Sequence, residues 1–339
     1  MLIKTNFTVM KYWIFGFLIF SIGTCFSQKM GGVNLESPQK QTSHDYIQPV
    51  KRISANWIAI VPFAFMNSDK TEIEYNKGNN WWGSTPEGIA NTVKLAKKNK
   101  QQTLLKPHFW VDNKSWAGEL SFSNKKWAIW EENYTSFILK MARTAQSLEI
   151  DMLCIGVELK SSVAFRPRFW NELIPKIRQV YKGKLTYSSN WDNYSNIPFW
   201  NLLDYIGIDA YFPLSVQANP DKSALLKKWE KWERSLANYA TKKNKQILFT
   251  EIGYRSINKG AGNQWETENL PDKVAVNLTL QKNAFEAFFE TCWNKPWFAG
   301  SFIWEWHPYD STAGGTQHSN FTPQHKPAEN VIQKWYSTK

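Results

Sequence analysis

Four carboxylates in the 339-residue chain follow directly on apolar runs: Glu158 after "CIGV", Asp209 after "YIGI", Glu251 after "ILFT" and Glu305 after "SFIW". An ionised carboxylate in apolar surroundings is costly unless it is paired or hydrogen-bonded. Each of the four is therefore either neutralised by the fold or held by it for use. Two carboxylates facing each other from different strands can divide acid and base work. One stays protonated as a general acid and the other stays ionised as base or nucleophile, because burial and mutual repulsion separate their pKa values. Cleavage of a glycosidic bond needs that arrangement. On residue type alone, any two of the four qualify.

The elements that must position them are legible as eight short apolar runs, residues 31–37, 56–66, 102–112, 151–159, 184–192, 204–214, 246–254 and 298–308. They are continuous rather than cleanly alternating, the pattern of strands covered on both faces. Helical stretches with 3.6-residue periodicity lie between them at 85–100, 134–149, 168–183, 223–243 and 272–293. Their lysine-rich faces belong in solvent and their Leu, Phe and Trp faces against a sheet. Thr85 followed by Pro86 marks a helix start. The link around residues 43–54 is the least regular. Strands alternating with helices in one chain of this length predict an α/β fold, a single-domain (β/α)8 TIM barrel over residues 28–339. A doubly wound open sheet is the competing architecture, but no G-x-G-x-x-G or phosphate-binding loop follows any strand.

Function in such a barrel collects at the carboxyl ends of the strands. Those ends carry His108, Trp110 and Asp112 on the third strand, Glu158 on the fourth, and Asn190, Trp191 and Asp192 on the fifth. The sixth carries Asp209 and Tyr211, the seventh Glu251 and Tyr254, and the eighth Trp304, Glu305 and His307. Any one of these alone is an ordinary structural residue. Acids, amides and aromatics converging on one ring point to a site.

Composition narrows what the site serves. Nineteen Trp and 16% aromatic residues are an excess that core packing absorbs in large part, but sugar clefts also need flat apolar faces with a polar edge. The net charge of +12 comes from lysines scattered over helix faces, with no arginine cluster or nucleic-acid motif, so a solvated basic surface is expected rather than a nucleic-acid partner. Residues 1–27 have the layout of a secretory signal peptide, with the start of translation at Met1 or Met10, a basic Lys11, an apolar stretch over residues 12–22 and small residues before Gln28. The mature protein is therefore expected to be secreted, periplasmic or at the cell surface. "IGTC" matches the usual lipoprotein pattern poorly, which weakens a lipid anchor at Cys25. The remaining cysteines, Cys154 and Cys292, do not make a disulfide framework, and Cys154 sits in an apolar strand where a buried free thiol is expected. No histidine or cysteine spacing suggests a metal, and no cofactor is expected.

Three motifs, "CIGVELKS", "FTEIGYRS" and "SFIWEWHP", resemble the catalytic strands of the clan of retaining (β/α)8 glycoside hydrolases. Together with "DYIGIDAYFPL", they most resemble glycoside hydrolase family 113, whose characterised members are endo-β-1,4-mannanases. The resemblance implies a secreted hydrolase of β-1,4-linked mannan or manno-oligosaccharides, with Glu158 as acid/base and Glu251 as nucleophile. It implies that Trp304 floors the sugar at the cleavage point, that Tyr211 lies near the nucleophile and that His108 contacts the sugar. For a retaining mechanism the two glutamates should stand about 5–5.5 Å apart. Trp81, Trp82, Trp110 and Trp191 are candidate walls of neighbouring subsites. Tyr211 or Tyr254 would hydrogen-bond Glu251. Strand alternation would turn Glu305 away from Trp304 and make it structural. One departure stands out: many clan members carry Asn before the acid/base, where it binds the sugar 2-hydroxyl, and this chain has Val157, leaving Asn190 as the candidate substitute. The same parts would serve a β-glucan or xylan, or a glycan-binding surface protein without turnover.

Overall fold

The computed structural model describes residues 28–67, 70–75, 81–112, 116–263 and 274–338. The leader over residues 1–27, with Cys25, lies outside them. Eight parallel strands close into a barrel: β1 (Met30–Glu36), β2 (Trp57–Val61), β5 (Gln102–Leu105), β7 (Met152–Val157), β8 (Lys184–Asn190), β9 (Ile206–Asp209), β10 (Ile247–Ile252) and β11 (Phe298–Trp306), with β11 pairing back onto β1. Helices α1 (Pro86–Lys98), α2 (Asn124–Ser147), α3 (Lys160–Phe165), α4 (Pro167–Val180), α5 (Lys222–Lys243), α6 (Leu278–Cys292) and α7 (Pro327–Tyr336) surround it. This is the expected TIM barrel. Thr85 caps α1 by accepting from the Gly88 amide at 3.1 Å. The irregular link between β1 and β2 is a 3-10 turn, Gln48–Ile53, that buries Val50 and Ile53. Helix α2 begins well before the periodic stretch at 134–149, with Ser123 as its cap.

Two runs expected as single long strands are each broken by proline. Pro62 ends β2 and Pro107 follows β5, and beyond them the chain resumes as β3 (Phe63–Met66) and β6 (His108–Val111). Neither proline can donate to the barrel ladder. Strand β3 pairs with β6 on one side and with β4 (Ile73–Glu74) on the other, in a separate three-stranded sheet above the barrel. His108, Trp110 and Asp112 therefore do not end a barrel strand, as the continuous reading of 102–112 had it. The third barrel strand ends at Leu105, and the next residue is Lys106.

The barrel interior is layered. Met30, Trp57, Leu104, Met152, Cys154, Leu248 and Phe302 form an apolar plug, separate from the larger core between strands and helices. Gly32 is required there, since a Cβ at that position would sit 2.4 Å from the Phe302 ring. One step further along the strands the inward residues turn polar: Asn34, Lys106, Ser188, Asp209 and Thr250, all buried. That polar layer is the floor of the mouth. Cys154 and Cys292 are both free and buried.

Candidate active site

Glu251 enters the mouth through an irregularity in its strand. Leu248 belongs to the interior plug, and strict alternation would point Thr250 inward and Glu251 outward. The register against β9 shifts between Phe249 and Glu251, as in a bulge, so that Thr250 and Glu251 both reach interior partners. Lys106 donates to Glu251 Oε1, and the Tyr211 hydroxyl donates to Oε2 at 2.6 Å. Tyr211 is held protonated, because burial and the Glu251 charge push its phenol well above the usual range. Both oxygens of Glu251 thus face hydrogen-bond donors, one of them a cation.

Lys106 has no exposed surface. Burial opposes its charge, but Asp209 and Glu251 outweigh that penalty and raise its pKa. Asp209 lies 3.9 Å from the ammonium and accepts from Ser188 Oγ at 2.6 Å and Thr250 Oγ1 at 2.9 Å. Burial, reinforced by Glu251, still pushes Asp209 up to about 6.

Glu158 follows the last residue of β7 and takes a left-handed backbone (φ 51°), with its amide donating to Ser188 O at 2.8 Å. Among the described residues its carboxylate accepts one side-chain bond, from Trp116 Nε1 at 3.1 Å. Burial, with repulsion from Asp209 and Glu251, raises its pKa well above that of an ordinary glutamate. The two glutamates thus sit in opposite surroundings: Glu251 is held by a cation and a phenol, and Glu158 is pushed toward its protonated form.

The aromatic residues sort into two groups. Trp304 faces Lys106 across 5.4 Å and meets the His108 ring edge-on at 5.7 Å, while His108 stacks on Trp110 at 4.9 Å. Burial and Lys106 press His108 down to about 3, so it is neutral. Next to Trp304 opens a cavity of about 400 Å³ walled by Phe63, Phe65, Trp81 and Trp110, with Asn34, Glu36 and Glu305 among its polar groups. Trp191 belongs to the second group: half-buried, its ring lies edge-on against Phe212 and Trp232 at 6.0 and 5.8 Å. Trp82 is also packed against the core.

Tyr254 does not reach Glu251. It is buried between β10 and the outer helices, where its hydroxyl accepts from Trp229 Nε1 at 3.2 Å and its ring packs on Phe285. The expectation of a sugar contact there is corrected: the strand ends at Ile252, and two residues later the side chain points into the helical layer. Glu305 is the converse correction. It lines the cavity on the same side as Trp304, whereas Trp306 packs in the outer core; the Trp304–Glu305 peptide is cis. Asn190 ends β8 opposite Asp209, and its Oδ1 accepts the Asp192 amide at 3.4 Å. Val157 is buried in the interior plug, so no hydrogen-bonding group precedes Glu158. Lys106 was absent from the sequence-based site, although Pro107 marks the true end of its strand.

Several groups bind protons more tightly in this fold than in an unfolded chain: Asp209 at about 6, Glu305 at about 7 and Glu158 well above the usual range. Between the unfolded carboxylate pKa and these raised values the folded state holds the extra protons, so stability falls as pH rises. His307, whose pKa is raised by its bond to Glu36 despite burial, acts in the same direction. His108, held at about 3, and Lys326, at about 7, act in the opposite direction but are outnumbered. Thermal unfolding is therefore expected to be higher at pH 5 than at pH 7.5, and equal midpoints would contradict these protonation states.

Comparison with curated proteins returned no match. Among solved structures, the chain is similar to a β-1,4-mannanase of family 113 in a complex (21% identity, TM-score 0.77, covering 92% of this chain and 100% of that one). It is similar also to the family 113 β-mannanase of Alicyclobacillus acidocaldarius in complex with ManMIm (23% identity, TM-score 0.78, 91% and 97% covered). A β-glucuronidase from Ruminococcus gnavus shares the fold more distantly (11% identity, TM-score 0.61), with this chain spanning 50% of its length. The family model for Glycoside Hydrolase Family 113 matches residues 33–336, nearly all of the barrel. The chain belongs to Glycoside Hydrolase Family 113 and is a glycoside hydrolase.

Proposed function

We propose that this chain is a retaining, internally cleaving β-1,4-mannanase in which Glu251 is the nucleophile and Glu158 the acid/base. The observation that carries the assignment of roles is the contrast around the two carboxylates: Lys106 and Tyr211 on Glu251, one indole and two repelling carboxylates on Glu158. The substrate class rests on family membership and on the β-mannanases among the similar solved structures.

In the first step a Glu251 oxygen attacks the anomeric carbon. The bond from that carbon to the bridging oxygen breaks, and the oxygen takes the proton of Glu158. Glu158, now a carboxylate, next removes a proton from water. That water oxygen attacks the anomeric carbon, the ester to Glu251 breaks, and Glu158 is protonated again. Two inversions give net retention. Lys106 and Tyr211 stabilise Glu251 as an anion before attack and again as it leaves.

Trp304 offers an apolar ring face to the sugar at the cleavage point, His108 a neutral ring nitrogen and Trp110 a wall of the adjoining cavity. Asn190 is the amide nearest in role to the one displaced by Val157. A secretory leader over residues 1–27 fits a polysaccharide substrate too large to enter a cell, and the proposed location is outside the cytoplasm, with an anchor at Cys25 as the lesser alternative.

Reducing-end release from mannan, glucomannan, xylan and β-glucan tests the substrate class. Mannan and glucomannan are expected to be cut, with a mixture of oligosaccharides appearing early. Release confined to xylan or β-glucan would refute the mannanase reading.

A further inference from the structure

The cavity beside Trp304 has polar groups of one kind. Glu36, on β1, accepts from His307 Nδ1 at 2.6 Å, and His307 Nε2 lies 3.5 Å from Glu305 Oε1. A histidine therefore links two carboxylates that both line the cavity. Asn34 adds a third acceptor. Its Nδ2 donates to Thr250 O at 3.0 Å and Phe302 O at 3.3 Å, which fixes the amide orientation. Its Oδ1 is left buried and without a partner among the described residues, in a side chain that is itself only 1% exposed and lines the cavity. A buried acceptor left unpaired is costly, and a donor supplied by a bound sugar would offset that cost. Among the described residues no lysine or arginine lines the cavity. Lys106, 5.4 Å from the Trp304 ring, is committed to Glu251, and Lys326 is buried and spent on Ser256 Oγ and on both the carbonyl and side-chain oxygens of Asn320.

We infer that Asn34, Glu36 and Glu305 select the sugar unit next to the cleavage point by charge: they accept from the hydroxyls of a neutral hexopyranose and exclude a sugar bearing a carboxylate. The aromatic walls, Phe63, Trp81 and Trp110, supply apolar faces that any pyranose can use. Discrimination falls to the acceptors. A neutral sugar brings hydroxyl donors, and carboxylates receive them strongly. A uronate brings a further anion into a low-dielectric space beside Glu36, and beside Glu305 once that carboxyl, at about 7, has ionised, with His307 to answer it among the described residues. The inference extends the glycosidase reading to the neighbouring subsite and rests on it.

The test compares neutral β-1,4-manno-oligosaccharides and cello-oligosaccharides with the same compounds oxidised at C6 of the terminal sugar. Calorimetric Kd values are measured on a Glu158→Gln background, so that nothing is consumed, with Glu36→Gln and Glu305→Gln added singly. Neutral ligands are expected to bind at least about tenfold more tightly than their uronates, and each added substitution is expected to reduce that ratio severalfold. Unchanged melting temperatures would exclude misfolding as the cause. A ratio near one, a ratio unmoved by both substitutions, or no binding of any neutral oligosaccharide would overturn the inference. Turnover of the neutral compounds by the unmodified chain is read separately. Cleavage of the gluco- but not the manno-series would end the mannanase reading while leaving the charge ratio intact as a result.

Discussion

Replacing Glu251 by Ala is expected to lower kcat/KM on manno-oligosaccharides by at least about 10⁴-fold, or roughly 5.5 kcal/mol of transition-state stabilisation. The reason is geometric as well as chemical. Glu251 is delivered to the mouth by the irregular register at the end of β10, and it is oriented through both oxygens by Lys106 and Tyr211. Alanine removes the attacking oxygen, and among the described residues no other carboxylate is held in that way. Asp209, the nearest by contact with Lys106, is buried beneath, with one oxygen committed to Ser188 and Thr250. Glu158→Gln should behave differently. It blocks proton donation, so cleavage of an ordinary sugar–sugar bond should collapse. An aryl glycoside whose leaving group needs no proton should still be attacked in the first step. Kinetics with both substrate types check this, and equal losses of the two variants on the activated substrate would show that the roles are wrongly assigned.

Replacing Lys106 by Met should be nearly as damaging, by another route. The ammonium is fully buried between Glu251 and Asp209. A methionine of similar length fills the space but leaves two carboxylates without their cation. Breaking one side of a buried ion pair costs about 3–5 kcal/mol. For a domain of this size that corresponds to a fall of roughly 5–10 °C in Tm. Activity should fall by about 10²–10³-fold, the usual loss when one preorganised electrostatic partner is removed. The pH profile separates this from a packing defect. Lys106 restrains the upward shift of Glu158, so without it the Glu158 proton is held more tightly. The alkaline limb of kcat/KM should move to higher pH. Calorimetry and a pH–rate profile of Lys106→Met check both effects, and a variant with unchanged Tm and limbs would remove Lys106 from the site.

Lys106 also marks where the sequence was hard to read. Residues 102–112 form one apolar-rich run, and nothing in its periodicity says that the barrel strand stops at Leu105. Pro107 is the physical signal, because it cannot continue the ladder, and Pro62 ends the neighbouring strand in the same way. The carboxylates were easier. Four acids close apolar strands and converge on one ring, so Glu158, Asp209, Glu251 and Glu305 were visible as candidates before any geometry, and the family resemblance singled out Glu158 and Glu251. Which face each residue takes was the less legible part. Alternation placed Glu305 on the wrong side of β11 and left Tyr254 near Glu251. Departures from regular pairing decide where the mouth residues point, and a period of two cannot announce them. The ring contacts of Trp191 were hidden for a further reason: its partners Phe212 and Trp232 come from distant parts of the chain.

The central claim is that a sugar becomes covalently attached to Glu251. Incubation with a β-mannosyl or mannobiosyl fluoride carrying fluorine at C2 tests it most directly. The ring fluorine slows both steps by destabilising the oxocarbenium-like transition state, while the fluoride leaving group needs no acid, so the intermediate accumulates. Mass spectrometry of the intact chain should then show one added glycosyl unit, and fragmentation should place it on the peptide containing Glu251. An adduct on Glu158, Asp209 or Glu305, or turnover with inverted anomeric configuration and no adduct, would contradict the account.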